Sequence, residues 1–340
     1  MAVIIIGLVI YIVSVMVLCE YFPKIYWPAM ISIVILLIII SGIRYDVGID
    51  YLAYKEIYDN VTEEWMLFQL EPLWQWLIPS LRVCGFSSRA WFLITSIFIN
   101  ILYFVGIKRM SNNIIFSLLL YIIISTCYLE SFNAVRQFAA GVILFSTFHY
   151  VIEGRMKKYI FCVLLAMCFH YSALIMLLFV LIARCKIPNL ATWVVYCLSF
   201  ILGTSVLPVI INYVLPYITE YAGYADSQHE SYSGGLKLLY FIIGCIIILA
   251  YKKAKGNDYI YFNLALLAYI WYFIFIDIQV FCRCMWYLTP FLTIVIPKVI
   301  SSFSTKSRLI ITPFVVLLYL FVTLKMYYEI PYNWDIRLFY

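Results

Sequence analysis

The run "AMISIVILLIII" (Ala29–Ile40) holds no charge, and stretches like it recur from one end of the chain to the other. A transmembrane helix needs ~20 predominantly apolar residues. Stretches of about that length lie at 2–19, 26–43, 90–107, 113–129, 132–152, 159–183, 190–218, 236–251, 260–276, 281–300 and 309–328. None shows the short alternating pattern of a membrane β-barrel. Only 12% of residues are charged and 66% are apolar, whereas soluble domains carry about a quarter charged residues. So few charges cannot cover a water-facing surface, and lipid must be the solvent. The expected fold is all-α: a polytopic transmembrane helical bundle of about 11–12 spans, with residues 1–340 as a single integral membrane domain. The first run, "AVIIIGLVIYIVSVMVLC", lacks a basic flank and a small-x-small cleavage site before Glu20, so it reads as a retained span.

The net charge of +6 is dispersed over short loops, which argues against nucleic acid as a partner. The ten cysteines lie mostly within apolar runs and form no CxxC pair, so they read as small packing residues. His149, His170 and His229 are not spaced as a metal site on one helix, and no metal is expected.

Lysine and arginine in short loops set orientation. Lys108 and Arg109, then Arg155, Lys157 and Lys158, then Lys252, Lys253 and Lys255, and finally Lys298, Lys306 and Arg308 mark cytoplasmic loops. This puts 44–89 outside, as an outer helical segment between the second and third spans. A second outer loop is expected at 219–235. Three apparent spans separate the basic loops at 155–158 and 252–255, where an even number is required. One segment must be broken, re-entrant or double. The candidates are 159–183, interrupted at "FHYS", and 190–218, interrupted at "GTS". Irregular backbone at membrane depth survives only inside protein or against a wet cavity.

The outer segment opens with "SGIRYDVGIDYLAYKEIY" (Ser41–Tyr58). Residues 50–59 predict a short helix with Asp50 at its N-cap and Tyr51, Tyr54 and Tyr58 on one face. Gly48 suits a turn with positive φ. The following "EEWMLFQLEPLWQWLIPSL" (Glu63–Leu81) predicts an interfacial helix broken at Glu71-Pro72.

A charge inside a span costs ~2.5–3.5 kcal/mol even on the lenient insertion scale. Asn133, Arg136 and Gln137 nonetheless open the fifth span, His170 sits within "CVLLAMCFHYSALIML", and Arg283 lies near the outer end of its own span with Asp277 nearby. Arg44, Arg136 and Arg283 thus lie toward the outer side. Arginine binds phosphate through a planar fork and keeps its charge in a low dielectric. Outward arginines, acids and many aromatics suggest a phosphorylated, partly sugar-like, lipid-borne substrate.

These residues also carry a resemblance. Arg44-x-x-x-Gly48-x-Asp50-Tyr51, then Tyr54 and Glu71-Pro72, resembles the opening of EpsG-like proteins, which group with the Wzy-type polymerases of O-antigen, capsule and exopolysaccharide repeat units. "NAVRQFAAGVILFS" and "FHYSALI" resemble the central signature, and "RCMWYLTPFLTIVIP" and "YYEIPYNW" the closing segments. The resemblance implies a glycosyltransferase of the bacterial cytoplasmic (inner) membrane whose active site faces outward. It would join oligosaccharide units carried on undecaprenyl pyrophosphate, with no cofactor and no metal. A separate chain-length-regulating co-polymerase is an implied partner beside the lipid bilayer. On this reading Arg136 and Arg283, with Arg44 third, meet the pyrophosphate. His170, Asp46 and Asp50 compete as the base that activates the acceptor hydroxyl. Tyr51, Tyr54, Glu71, Asn133 and Gln137 contact sugar. The rival class is a flippase or exporter of the same lipid-linked oligosaccharides, which would carry polar groups through the whole membrane depth. An O-antigen ligase and a membrane acyltransferase are further rivals; the acyltransferase would take its donor from the cytoplasm.

Overall fold

The computed structural model describes residues 1–60, 70–205, 234–254, 256–276 and 278–338. The expectations placed on residues 61–69, 206–218 and 219–233, and on Lys255 and Asp277, lie outside the described residues. Where the sequence reads as one membrane domain, its packing falls into two compact units. One is Met1–Leu177 with Tyr319–Tyr340, and the other is Leu178–Leu318.

The described chain is almost entirely helical. In the first unit the helices are α1 (Ala2–Tyr21), α2 (Tyr26–Gly42), α3 (Tyr51–Asp59), α4 (Pro72–Val83), α5 (Ser88–Met110), α6 (Ile114–Ile123), α7 (Val135–Ser146), α8 (His149–Ile152) and α9 (Met156–Met167). The chain continues through α10 (Ile175–Ala183) into the second unit. There it forms α11 (Asn189–Ser205), α12 (Gly234–Tyr251), α13 (Tyr259–Phe275), α14 (Gln279–Cys282) and α15 (Leu292–Ser301). Helix α16 (Thr305–Tyr327) returns it to the first unit. Six helical stretches are long and apolar enough to cross a bilayer: Ala2–Tyr21, Pro23–Gly42, Ser88–Met110, Val135–Ile152, Val280–Ser301 and Thr305–Tyr327. Shorter apolar helices join them, and the chain is a multi-pass membrane protein.

Burial shows which solvent these helices meet. In α1, Ile5, Leu8, Ile12 and Val15 recur every three or four residues and are buried. The remaining faces expose Val3, Ile6, Ile10, Val13 and Val17. A helix apolar all round, with one buried stripe, is stable only if its other faces meet lipid. Helix α7 differs, since every residue in it except Arg136 is buried. It is the central column of the first unit, packed on α5 and α9, and α5 in turn packs along α2. The approach of α5 to α7 depends on Gly106, where a Cβ would fall 2.5 Å from the Phe145 ring.

The interruption at "FHYS" is present. Helix α9 stops at Met167, His170 is extended (φ −162°), and a single 3₁₀ turn at Tyr171–Leu174 precedes α10. The freed carbonyls are taken up by α4. Cys168 accepts from the Leu73 N–H (3.1 Å) and Phe169 from Trp74 Nε1 (2.8 Å). "GTS", by contrast, is helical to the end of α11. The stretch 281–300 is less regular than a simple span: 3₁₀ turns at Arg283–Tyr287 and Thr289–Phe291 precede α15, the second of them containing Pro290, which cannot donate to a helical ladder.

After α16 the tail crosses back over the segment that follows α2. Strand β2 (Asn333–Trp334) pairs antiparallel with β1 (Arg44–Tyr45), in the register Arg44 to Trp334 and Tyr45 to Asn333. The Asp335 N–H donates to Ile43 (2.8 Å), the Tyr332 hydroxyl to the Ile40 carbonyl (2.7 Å), and the Ser87 N–H to Leu338 (2.8 Å). Arg89 Nη2 meets Asp335 Oδ2 at 2.7 Å. The tail therefore ties the β1 turn to the start of α5.

Gly48 has φ +110°, and a Cβ there would lie 2.9 Å from both Asn133 Oδ1 and the Phe132 carbonyl. Gly48→Val should destabilise the protein by about 1–3 kcal/mol, read as a lower melting temperature in detergent by intrinsic fluorescence. Deleting residues 332–340 removes the strand pairing and the Asp335 clamp. At roughly 1 kcal/mol per hydrogen bond the melting temperature should fall, with new protease cuts in 43–50. An unchanged melting temperature and cleavage pattern would show that the tail holds nothing in place.

Candidate functional site

Pro72 has no N–H to give and fixes φ near the helical value, so it starts α4 at its own position. Glu71 then falls at the N-cap in extended backbone (φ −69°, ψ 153°), and its carbonyl accepts from the Trp74 and Gln75 N–H groups. Its side chain turns inward and is only 4% exposed. One carboxylate oxygen meets each of two partners: Oε2 accepts from Arg136 Nη1 at 2.6 Å, and Oε1 lies 2.5 Å from His170 Nδ1. Burial alone would raise the Glu71 pKa. The His170 hydrogen bond and the Arg136 charge outweigh it and hold the carboxyl below its ordinary value, so it is ionised at neutral pH.

This fixes the chemistry of His170. Beside a carboxylate, Nδ1 carries the proton, and Nε2 keeps the lone pair when the ring is neutral. The imidazole is 27% exposed, enough to meet a ligand. The helix break described above is what frees His170 from helical geometry and turns it toward α4.

Arg136 stands in the first turn of α7 with 23% of its side chain exposed. Tyr54 is hydrogen-bonded to its guanidinium, and Nε has no partner among the described residues. The Tyr54 pKa is raised by burial first and by Asp50, with Arg136 opposing. Asp50 occupies the N-cap of α3, although its side chain makes no capping bond. Tyr54, Arg136, Glu71 and His170 thus form one hydrogen-bonded chain, with the Asp50 charge acting on Tyr54 from the start of α3.

The other residues singled out from the sequence behave differently. Tyr51, Tyr54 and Tyr58 share one face of α3, as their spacing predicts, and that face packs inward. Tyr51 stacks on Phe92 (4.6 Å), Tyr58 stacks on Trp91 (6.3 Å), and Tyr54 meets Trp91 edge-on (5.4 Å). Tyr51, 1% exposed, has no face left for a sugar ring. Arg44, 3% exposed, is likewise no open anion receptor. Its guanidinium lies between the Phe92 and Phe132 rings (4.8 and 4.9 Å) and donates to the Ser41 and Phe132 carbonyls. Burial pulls it down to about 10, with Tyr51 and Tyr128 opposing, so it remains cationic at neutral pH. It also lines a polar cavity of about 10 Å³ with Ser41, Ser96 and Asn100, room for one water.

Asn133 is a brace: its Oδ1 accepts from the Ile49 N–H (2.8 Å) and its Nδ2 donates to Glu130 (3.2 Å). Gln137 is buried on α7, and Asp46 is exposed with φ +52°, a left-handed conformation that Asp tolerates. Arg283 belongs to the second unit, where it is half-buried with its guanidinium 5.6 Å from the Trp286 ring. Among the described residues no group of three or more His, Cys, Asp or Glu is arranged to hold a metal.

Sequence reasoning counted Glu71 only as a sugar contact and missed it as the hub. The signal was present: an acid immediately before a proline, between apolar flanks, puts a carboxylate at a helix start where it is hard to solvate. Trp91 and Phe92, the slab on which α3 rests, were not singled out either.

The EpsG family profile matches residues 26–334. No curated protein and no solved structure matches the chain. The matched range contains every residue of the cluster built on Glu71, and it covers nearly the whole chain. The chain belongs to the EpsG family, a Wzy-like polymerase family of polysaccharide biosynthesis.

Proposed function

We propose that this protein polymerises oligosaccharide repeat units carried on undecaprenyl pyrophosphate at the outer face of the bacterial cytoplasmic membrane. Family membership supports the polymerase class. The observation that carries the mechanism is the single buried carboxylate shared by Arg136 and His170.

In the proposed reaction a hydroxyl at the non-reducing end of one unit attacks the anomeric carbon of the chain on the other carrier. A C–O bond forms there as the bond to pyrophosphate breaks, and the pyrophosphate leaves with the electron pair. His170 Nε2 takes the hydroxyl proton, with Glu71 holding the ring and stabilising the imidazolium. Arg136 meets the negative charge growing on the leaving group; a fixed cation needs no reorganisation at that moment. Asp46 and Asp50 remain the alternative candidates for the base, at the turn that leads into α3. Arg283 enters on sequence grounds alone, as a second pyrophosphate cation. Arg44 and Tyr51 act here as supports, because their side chains are buried.

The decisive experiment deletes the chromosomal gene and complements it with variants at matched membrane levels, reading surface glycan as a gel ladder. Deletion should leave a single repeat unit, and wild type should restore the ladder. Arg136→Ala should lower chain transfer about 10²–10³-fold and His170→Gln about 10²–10⁴-fold. A deletion that removes even the single unit, with lipid-linked units held on the cytoplasmic side, would replace this reading with a flippase.

Glu71→Gln should abolish the ladder while keeping the shape of the site. It should also cost about 2–3 kcal/mol of stability. That is below the 3–5 kcal/mol for a fully buried pair, because Arg136 and His170 are 23% and 27% exposed. A carboxyl whose folded pKa is depressed contributes stability above its unfolded value and loses it as pH falls through the folded one. The melting-temperature gap between wild type and Glu71→Gln should therefore be constant above the ordinary value of 4.5 and close below it. A gap that stays open in acid would mean that the Glu71 charge is not what holds the cluster together.

A further inference from the structure

The second unit contains a cavity that the polymerase reading does not use. It has a volume of about 340 Å³ and lies among Lys186, Asn189, Tyr251, Lys252, Gly256 and Tyr259. Both lysines are exposed, and Lys186 Nζ stands 5.5 Å from the Tyr259 ring. Tyr259 is itself fixed by donating to the Arg184 carbonyl (3.2 Å). A ring held in place beneath an ammonium group keeps that charge at the cavity instead of letting it wander.

Two features define the ligand chemistry. The lysines call for an anion. Asn189 Oδ1, in contrast, is a buried acceptor with no partner among the described residues, so it calls for a hydroxyl or amine donor on the same ligand. A bare phosphate dianion supplies the first and not the second. A phosphodiester carrying a free glycerol supplies both.

The surroundings indicate that this ligand is a lipid. From the edge of the cavity, Leu190, Val194, Leu198 and Ile201 run along α11 at three- and four-residue spacing, each between 47% and 77% exposed. That stripe would receive an acyl chain whose headgroup sits against Lys186 and Lys252. The flanking sequence is basic on both sides of the cavity, with Arg184 beside Lys186 and Lys253 beside Lys252, the pattern that recruits anionic headgroups at the cytoplasmic leaflet.

We propose that this cavity is a binding site for an anionic phospholipid with a glycerol headgroup, phosphatidylglycerol in chemical type. The phosphodiester lies between Lys186 and Lys252, and a headgroup hydroxyl donates to Asn189 Oδ1. The site is independent of the Glu71 cluster, so it stands or falls separately from the polymerase reading.

The test is native mass spectrometry of the purified protein in detergent, titrated with phosphatidylglycerol, phosphatidic acid or phosphatidylcholine of matched chains. Wild type should retain phosphatidylglycerol in preference. Affinity should fall about fivefold for each lysine removed in Lys186→Gln and Lys252→Gln. Asn189→Ala should narrow the preference for phosphatidylglycerol over phosphatidic acid, which has no glycerol hydroxyl. Lys157→Gln with Lys158→Gln, in another basic loop, should change nothing. Equal retention of phosphatidylglycerol and phosphatidylcholine would overturn the proposal, as would an equal loss in the Lys157/Lys158 control. Displacement by millimolar glycerol 3-phosphate as readily as by lipid would instead assign the site to a soluble phosphate ester and overturn its lipid character. A variant that fails to fold is recognised by its gel-filtration profile, and the Asn189→Ala arm then decides the question.

Discussion

A carboxylate 4% exposed on its side chain cannot remain ionised without partners, and everything around Glu71 supplies them. Arg136 comes from the central helix of the first unit and His170 from a break in another. Glu71 itself comes from the segment between α3 and α4. Three parts of the chain far apart in sequence are thus held at hydrogen-bond distance by one group. The cost of burying such charges in isolation is several kcal/mol each. The neutralised cluster tolerates the site, while the exposed remainder of Arg136 and His170 leaves it open to chemistry. An ion pair closed off deeper in the core would carry a larger desolvation cost and could not meet a substrate.

The rest of the first unit reads as support for that geometry. The α3 tyrosines and Trp74 are packed against Trp91 and Phe92, so the α3 and α4 segments rest on one aromatic surface of α5. Aromatic contacts of this kind contribute about 0.5–1.5 kcal/mol each beyond burial, and they leave the rings little freedom to tilt. Asn133 ties the Gly48–Ile49 turn to the loop just before α7, and the tail clamps β1 from the other side. Arg136 therefore has a fixed base below it and a fixed turn beside it.

Much of this was legible in the residues. Apolar runs of span length gave the helices nearly in register, because lipid forces every backbone group into local hydrogen bonds. Parity of the basic loops pointed to a broken segment, and "FHYS" proved to be interrupted at His170. Three signals were harder to read. Tyrosine at helical spacing is compatible with sugar stacking and with core packing alike, and only the position of Trp91 and Phe92 decides for packing. The pairing of Glu71 with His170 spans 99 residues, and no local pattern encodes a contact of that range. The return of the tail to β1 is invisible for the same reason, since it pairs two short polar segments with no periodicity between them.

Arg44 and Arg136 show why residue type alone could not rank the arginines. Arg44 follows the end of α2 and Arg136 stands in the first turn of α7, and both carry a buried Nε with no partner among the described residues. Arg44 faces two backbone carbonyls and two aromatic rings, with no carboxylate in reach of an ion pair among the described residues. Its charge is dispersed into fixed dipoles and quadrupoles, which cannot move to admit an anion. Arg136 is balanced by one carboxylate that His170 also holds. A proton arriving on His170 strengthens the hold of Glu71 on the imidazolium and weakens its hold on the guanidinium. On the proposed mechanism the positive charge of Arg136 would then be least compensated at the moment a leaving group departs, and proton uptake and anion stabilisation would be coupled through Glu71. That coupling follows from sharing one carboxylate between two cations, and separate acids for each would not produce it.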